Sequence, residues 1–83
     1  MKVTVKYFAS IREALGVSSE SRDTTALTLE ALRDELIALG GAHAQCLARG
    51  SAVRMAVNQV MSDDSALLVD GAEVAFFPPV TGG

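Results

Sequence analysis

From Lys2 to Phe8 apolar and polar residues alternate, with Val3, Val5 and Tyr7 on one side and Lys2, Thr4 and Lys6 on the other. That period of two predicts a half-buried strand. Ser10-Ile11-Arg12-Glu13 has capping-box spacing and predicts a short helix, which runs to Leu15 and stops at Gly16. Residues 17 to 24 are polar but include Val17 and the β-branched Thr24, predicting an exposed strand that returns beside the first. Thr28 is placed to cap the main helix, and Glu30 suits its N-terminal dipole. Leu29, Leu32, Leu36, Ile37 and Leu39 form the apolar stripe of that helix, which Gly40-Gly41 ends. Residues 42 to 49 propagate helix well enough for one or two more turns. Val53, Met55 and Val57 alternate with Ala52, Arg54 and Ala56, predicting a strand that stops at Asn58-Gln59. Beyond the turn dipeptide Asp70-Gly71, Glu73 to Phe77 predicts the last strand. Pro78-Pro79, lacking amide donors, forbids further pairing.

One long helix among several strands predicts an α+β fold, a mixed sheet wrapped around that helix with additional short helices. Residues 1–83 are expected to form one domain, because 83 residues leave no room for a second core. So short a chain buries only about 60% of its unfolded surface and has little volume for an internal active site. A composition 49% apolar and 20% charged is too hydrophobic for disorder. No apolar run approaches the roughly 20 residues that cross a bilayer, so no membrane partner is expected. The alternating N-terminus has no apolar signal core, which makes the cytoplasm the default location. With 7 basic and 10 acidic side chains the net charge is −3, and nucleic acid is not an expected partner.

The same count closes several chemistries. Cys46, the single cysteine, cannot form an internal disulfide, a Cys-x-x-Cys pair or an iron–sulfur site. His43, the single histidine, lies three residues before it, but no third residue is placed to orient a nucleophile–base pair. One His and one Cys also leave half of a tetrahedral metal site unfilled. Asp63-Asp64 before Ser65 reads as a solvated turn or cap rather than a cation site, and neither glycine-rich nucleotide motif is present.

The C-terminal run Phe76-Phe77-Pro78-Pro79-Val80-Thr81-Gly82-Gly83 is different. It passes from a hydrophobic strand through a stiff Pro-Pro to two residues without side chains. Residues 78–83 are expected to be a flexible tail that reaches on the order of 20 Å. Gly82 and Gly83 would let its carboxylate enter a narrow channel in another protein. Adenylation by ATP would make that carboxylate an electrophile, and a sulfur nucleophile displacing AMP would leave a thiocarboxylate. On the motif alone, this reading and an inert terminus stand equal.

The run from Glu73 to Gly83, preceded by Ala56-Val57-Asn58-Gln59 and Asp70-Gly71, closely resembles the small subunit of molybdopterin synthase, the MoaD family. The opening Val3-Thr4-Val5-Lys6-Tyr7-Phe8-Ala9-Ser10-Ile11-Arg12-Glu13 is similar to that family's first strand and following helix. The match covers essentially the whole chain and is weakest in residues 17 to 27 and 42 to 52.

The resemblance implies a ubiquitin-like β-grasp fold and a sulfur carrier. Gly83 would be adenylated by an E1-like enzyme, MoeB, which uses ATP, and then thiolated through a sulfurtransferase or cysteine desulfurase. The tail, with Gly82 and Gly83 at its reactive end, would insert into the large subunit, MoaE, and donate sulfur to cyclic pyranopterin monophosphate. Two donations would build each dithiolene within a heterotetramer, whose large subunits supply the catalytic side chains. No cofactor is expected on this chain itself. The resemblance further implies partner contacts at Phe8, Arg12, Met61, Phe77, Pro78, Pro79, Val80 and Thr81. Phe8 and Phe77 break the alternation of their strands and should point away from the core, as a docking patch would require. Two alternatives stay open: a carrier for thiamine, cysteine or transfer-RNA thiolation, and an interaction module with an inert tail.

Overall fold

The alternation at the N-terminus sorts side chains as expected. Val3, Val5 and Tyr7 are buried while Lys2 and Thr4 are exposed. In the computed structural model, which describes residues 1–79, this strand is β1 (Lys2–Tyr7). It is followed by α1 (Ala9–Leu15), β2 (Ser19–Asp23), α2 (Leu29–Ile37), α3 (Gly41–Leu47), β3 (Arg54–Val57), β4 (Val60–Ser62) and β5 (Glu73–Phe77). The strands form one sheet in the order β2-β1-β5-β3-β4. β1 and β5 run parallel at its centre, and every other neighbouring pair is antiparallel. This is the α+β arrangement expected from the pattern, and the β-grasp fold that the resemblance implies.

One face of the sheet carries the core. Val3, Val5, Tyr7, Met55, Val74 and Phe76 meet Ile11 of α1, Leu29, Leu32 and Leu36 of α2, and Leu47 of α3. Each of these fully buried large side chains contributes about 1.5–3 kcal/mol from apolar burial. α2 starts as read, with the Thr28 hydroxyl accepting from the Ala31 amide at 3.2 Å.

Four details depart from the pattern reading. The capping box at Ser10 does not form, because α1 begins at Ala9 with Phe8 in the cap position and no side-chain cap. Ala9 makes the strand-to-helix corner directly, at φ +51°, and the Phe8 carbonyl takes the Ile11 amide at 3.2 Å. Leu39 is 49% exposed, because α2 ends at Ile37 and the chain leaves the helical stripe before reaching it. β4 was not foreseen. It pairs with β3 through a two-residue turn whose Asn58 and Gln59 both have positive φ, 50° and 69°, the geometry that matches strand twist in tight hairpins. The predicted alternation in β3 also fails at Ala56, which is 4% exposed although it lies on the opposite face from Met55.

The segment between α3 and β3 has little regular structure and is held by a buried charge. Arg33 of α2 is 5% exposed. Its Nε donates to the Leu47 carbonyl at 2.7 Å, and one terminal nitrogen donates to those of Ala48 at 2.8 Å and Ser51 at 3.3 Å. Burial, and then the neighbouring Arg49 charge, draws the Arg33 pKa below its ordinary value. The Ala48 and Ser51 carbonyls also accept from the Ser51 amide at 2.9 Å and the Val53 amide at 2.8 Å, whereas the Leu47 carbonyl at the end of α3 relies on Arg33. Arg33→Leu is therefore expected to cost about 1–3 kcal/mol in urea unfolding by orphaning the Leu47 carbonyl and untying the segment after α3 from α2. Arg33→Lys should not restore the loss, since an ammonium does not reproduce the planar fork.

Candidate functional site

Parallel pairing fixes where the site lies. Because β1 and β5 run the same way, their C-terminal ends reach the same edge of the fold, and the Phe8 amide donates to the Phe76 carbonyl at 3.2 Å. Side chains then alternate across the junction. On the core face Tyr7 stacks on Phe76 with centroids 6.2 Å apart. On the outer face Phe8 stacks on Phe77 at 4.7 Å and 11°. Burial, and then the Glu20 carboxylate, pushes the Tyr7 phenol well above its usual range, so the inner pair stays uncharged.

The outer face reads as rungs across the strands. Arg54 lies directly opposite Phe77, and Ala56 lies between Ala75 and Met61. Lys6, beside Ala75, pairs with Glu73 at 3.0 Å. Met61 is 53% exposed and Phe8 38%, whereas Ala56 and Ala75, short side chains among longer ones, are nearly covered. A recess of about 200 Å³ opens between Arg54, Met61, Phe77 and Pro78. The result is an apolar strip beside the point where the chain leaves the sheet. Contiguous exposed apolar surface of this kind marks interaction sites.

The structure thus brings Phe8, Met61, Phe77 and Pro78 together on one face. Pro79 is exposed and follows directly. Arg12 is exposed one turn into α1, its amide bonded to the Phe8 carbonyl at 3.4 Å. Val80, Thr81, Gly82 and Gly83 lie outside the described residues. Sequence reasoning passed over Arg54, as well as the small pair Ala56 and Ala75. The alternation in β3 put Arg54 on the outer face, but only the β3–β5 register places it beside Phe77.

The residues set aside as chemically idle have other employment. His43 Nε2 lies 3.2 Å from Glu20 Oε2, and its ring meets Tyr7 edge-on at 6.0 Å. Cys46 packs partly buried against the core. Asp63 accepts from the Ser65 amide at 2.9 Å and hydroxyl at 2.6 Å, a local turn that lowers the Asp63 pKa. Among the described residues, no group of three or more His, Cys, Asp or Glu side chains could hold a metal, and no helix is long and apolar enough to cross a membrane.

An apolar face beside Pro78, in a sequence that runs on as Pro-Pro-x-x-Gly-Gly, can be compared with known proteins. The ThiS family profile matches residues 5–83. The chain belongs to the ThiS family. Within this family it is 41% identical over 81 residues to the molybdopterin synthase sulfur carrier subunit of Escherichia coli (strain K12), covering 98% of this chain and 99% of that one. It is 37% identical, with the same coverage, to the subunit of the same name from Haemophilus influenzae. Among solved structures, the protein–protein complex of subunits 1 and 2 of the molybdopterin-converting factor from Helicobacter pylori 26695 contains a similar chain. That chain is 27% identical, superimposes with a TM-score of 0.71, and is covered in full, as is this one. These likenesses place this ThiS-family chain among the ubiquitin-like sulfur carriers of molybdopterin synthesis.

The two aromatic pairs should respond differently to truncation. Phe76→Ala, which empties a fully buried site, is expected to cost about 3–5 kcal/mol in chemical denaturation. Phe77→Ala, losing a half-exposed stack, should cost less than about 1.5 kcal/mol. Similar losses at the two positions would mean that the outer stack is part of the core.

Proposed function

We propose that this chain is the sulfur-carrying subunit of a molybdopterin synthase and that Gly83 is its reactive end. The observation that carries the reading is the near-full-length similarity to two molybdopterin synthase sulfur carrier subunits. The Gly83 carboxylate attacks the α-phosphorus of ATP on an E1-like MoeB-type enzyme, with pyrophosphate leaving. A persulfide on a sulfurtransferase or cysteine desulfurase then displaces AMP to give an acyl disulfide, and a thiol attacking the donor-side sulfur releases the thiocarboxylate and leaves a disulfide.

In a large subunit of the MoaE kind the tail delivers that sulfur to cyclic pyranopterin monophosphate. Two charged carriers serve each dithiolene in a cytoplasmic heterotetramer. The chain itself holds no cofactor. Its contribution is positional: Phe8, Met61 and Phe77 dock the body, Arg12 adds a charged contact, and Pro78 and Pro79 direct Val80, Thr81, Gly82 and Gly83 away from the sheet.

Incubation with the activating enzyme, ATP and a sulfur donor should raise the intact mass by the exchange of one oxygen for sulfur. Fragmentation should place the change at Gly83. Removing Gly83, or adding one residue after it, should abolish both the mass change and molybdopterin formation without altering the unfolding midpoint. An extended chain that still supports synthesis would refute the mechanism. Sulfur delivery to a thiazole or cysteine synthase instead of the MoaE-type subunit would redirect the carrier.

A further inference from the structure

Arg54 stands apart from most of the other arginines. Arg22 pairs with Glu35 at 3.3 Å, Arg33 is spent on three carbonyls, and Arg49 holds Asp34 at 2.6 Å and Asp64 at 3.2 Å. Among the described residues, Arg54 has no ion-pair or side-chain hydrogen-bond partner, although the chain carries three more acidic than basic side chains. Its position is not that of an ordinary solvated charge. It faces Phe77 across the β3–β5 ladder and forms one wall of the recess that Met61, Phe77 and Pro78 complete. The nearby Lys6–Glu73 pair is already neutralised, so among the described residues Arg54 is an uncompensated cation on this part of the outer face.

A protein that covers Phe8 and Phe77 must also cover this guanidinium. Removing a cation from water without an acceptor is strongly unfavourable, so a surface that seats on the apolar strip has to bring a compensating anion. A planar fork presented at a fixed strand position suits a carboxylate, which it can meet with two parallel hydrogen bonds. We infer that Arg54 is a further partner-contact residue, and that the large-subunit surface docking on Phe8 and Phe77 presents a carboxylate to it. This rests on the molybdopterin synthase reading and adds to it a charge requirement at one position. Met61 and Phe77 supply contact area, and Arg54 rejects partners whose apolar patch lacks an acid there.

The test is the affinity of the intact chain for the large subunit from the same organism, measured by titration calorimetry. Arg54→Met keeps the length of the side chain and removes its charge, and Arg54→Lys keeps the charge and removes the fork. Lys2→Glu makes the same change in net charge as Arg54→Glu, at the far end of the sheet. Arg54→Met and Arg54→Glu should weaken binding by at least about tenfold, with Arg54→Lys between them and the parent chain and Lys2→Glu close to the parent. Unfolding curves for all four should overlay that of the parent, because Arg54 is exposed.

Parent-like affinity of Arg54→Met, or equal losses from Arg54→Glu and Lys2→Glu, would overturn the assignment while leaving the function intact. No binding by the parent chain would overturn both. Repeating the series without Gly82 and Gly83 separates one more case. A loss that persists supports the partner's carboxylate, and a loss that vanishes would assign Arg54 to this chain's own terminus and overturn the inference.

Discussion

The parallel pairing of β1 with β5 is the constraint from which the rest of the molecule follows. It joins the first and last described strands near the centre of the sheet, with β5 seated between β1 and β3. It also brings two strand ends to the same edge. Had the pair been antiparallel, Phe8 and Phe77 would lie at opposite ends and the tail would leave far from the aromatic strip. Five buried side chains from the two strands, Val3, Val5, Tyr7, Val74 and Phe76, hold the pairing against α2. Hydrophobic burial on one face of the sheet therefore fixes the geometry of the other face.

That division of labour suits the proposed function, in which a chain of 83 residues presents its terminus to chemistry on another protein. Its core is used up in forming two layers, one of helices and one of strands, and the uncovered side of the sheet is what remains for other proteins. Small residues in the middle of that side, Ala56 and Ala75, leave the projecting Phe8, Met61 and Phe77 as its relief. Charge follows the same pattern. The Arg49 network joins α2 to the segment after β4 and is exposed, so it contributes modestly to stability. Arg33, buried, shapes backbone that the helices leave unfinished.

Most of the fold was legible because burial writes itself into period. β1 alternates cleanly, and α2 carries a leucine stripe with a threonine cap. β4 was illegible for the opposite reason. Val60 and Met61 are both exposed, so burial imposes no pattern on them, and the hairpin turns on Asn58-Gln59 without the glycine that usually marks such a turn. The Ser10 capping box misled because its spacing was right but the helix had already started at a left-handed Ala9, a corner set by tertiary packing. At the site, Phe8 and Phe77 were legible as breaks in alternation, Met61 only through resemblance. The partner role inferred for Arg54 was not legible, because an exposed strand arginine looks like solvation until a neighbouring strand puts an aromatic ring opposite it.

The adjacent phenylalanines of β5 carry a consequence of their own. Phe76 is the floor of the core and Phe77 belongs to the surface strip, and one peptide unit separates the two environments. A strand has a reading frame in this sense: a slip of one residue against β1 would exchange inside and outside along its whole length. The same frame sets the origin from which the six residues after Phe77 are counted. On the proposed function the sheet works as the zero mark of a ruler, and insertions or deletions within β5 would be felt as an error of length at Gly83 as much as an error of packing.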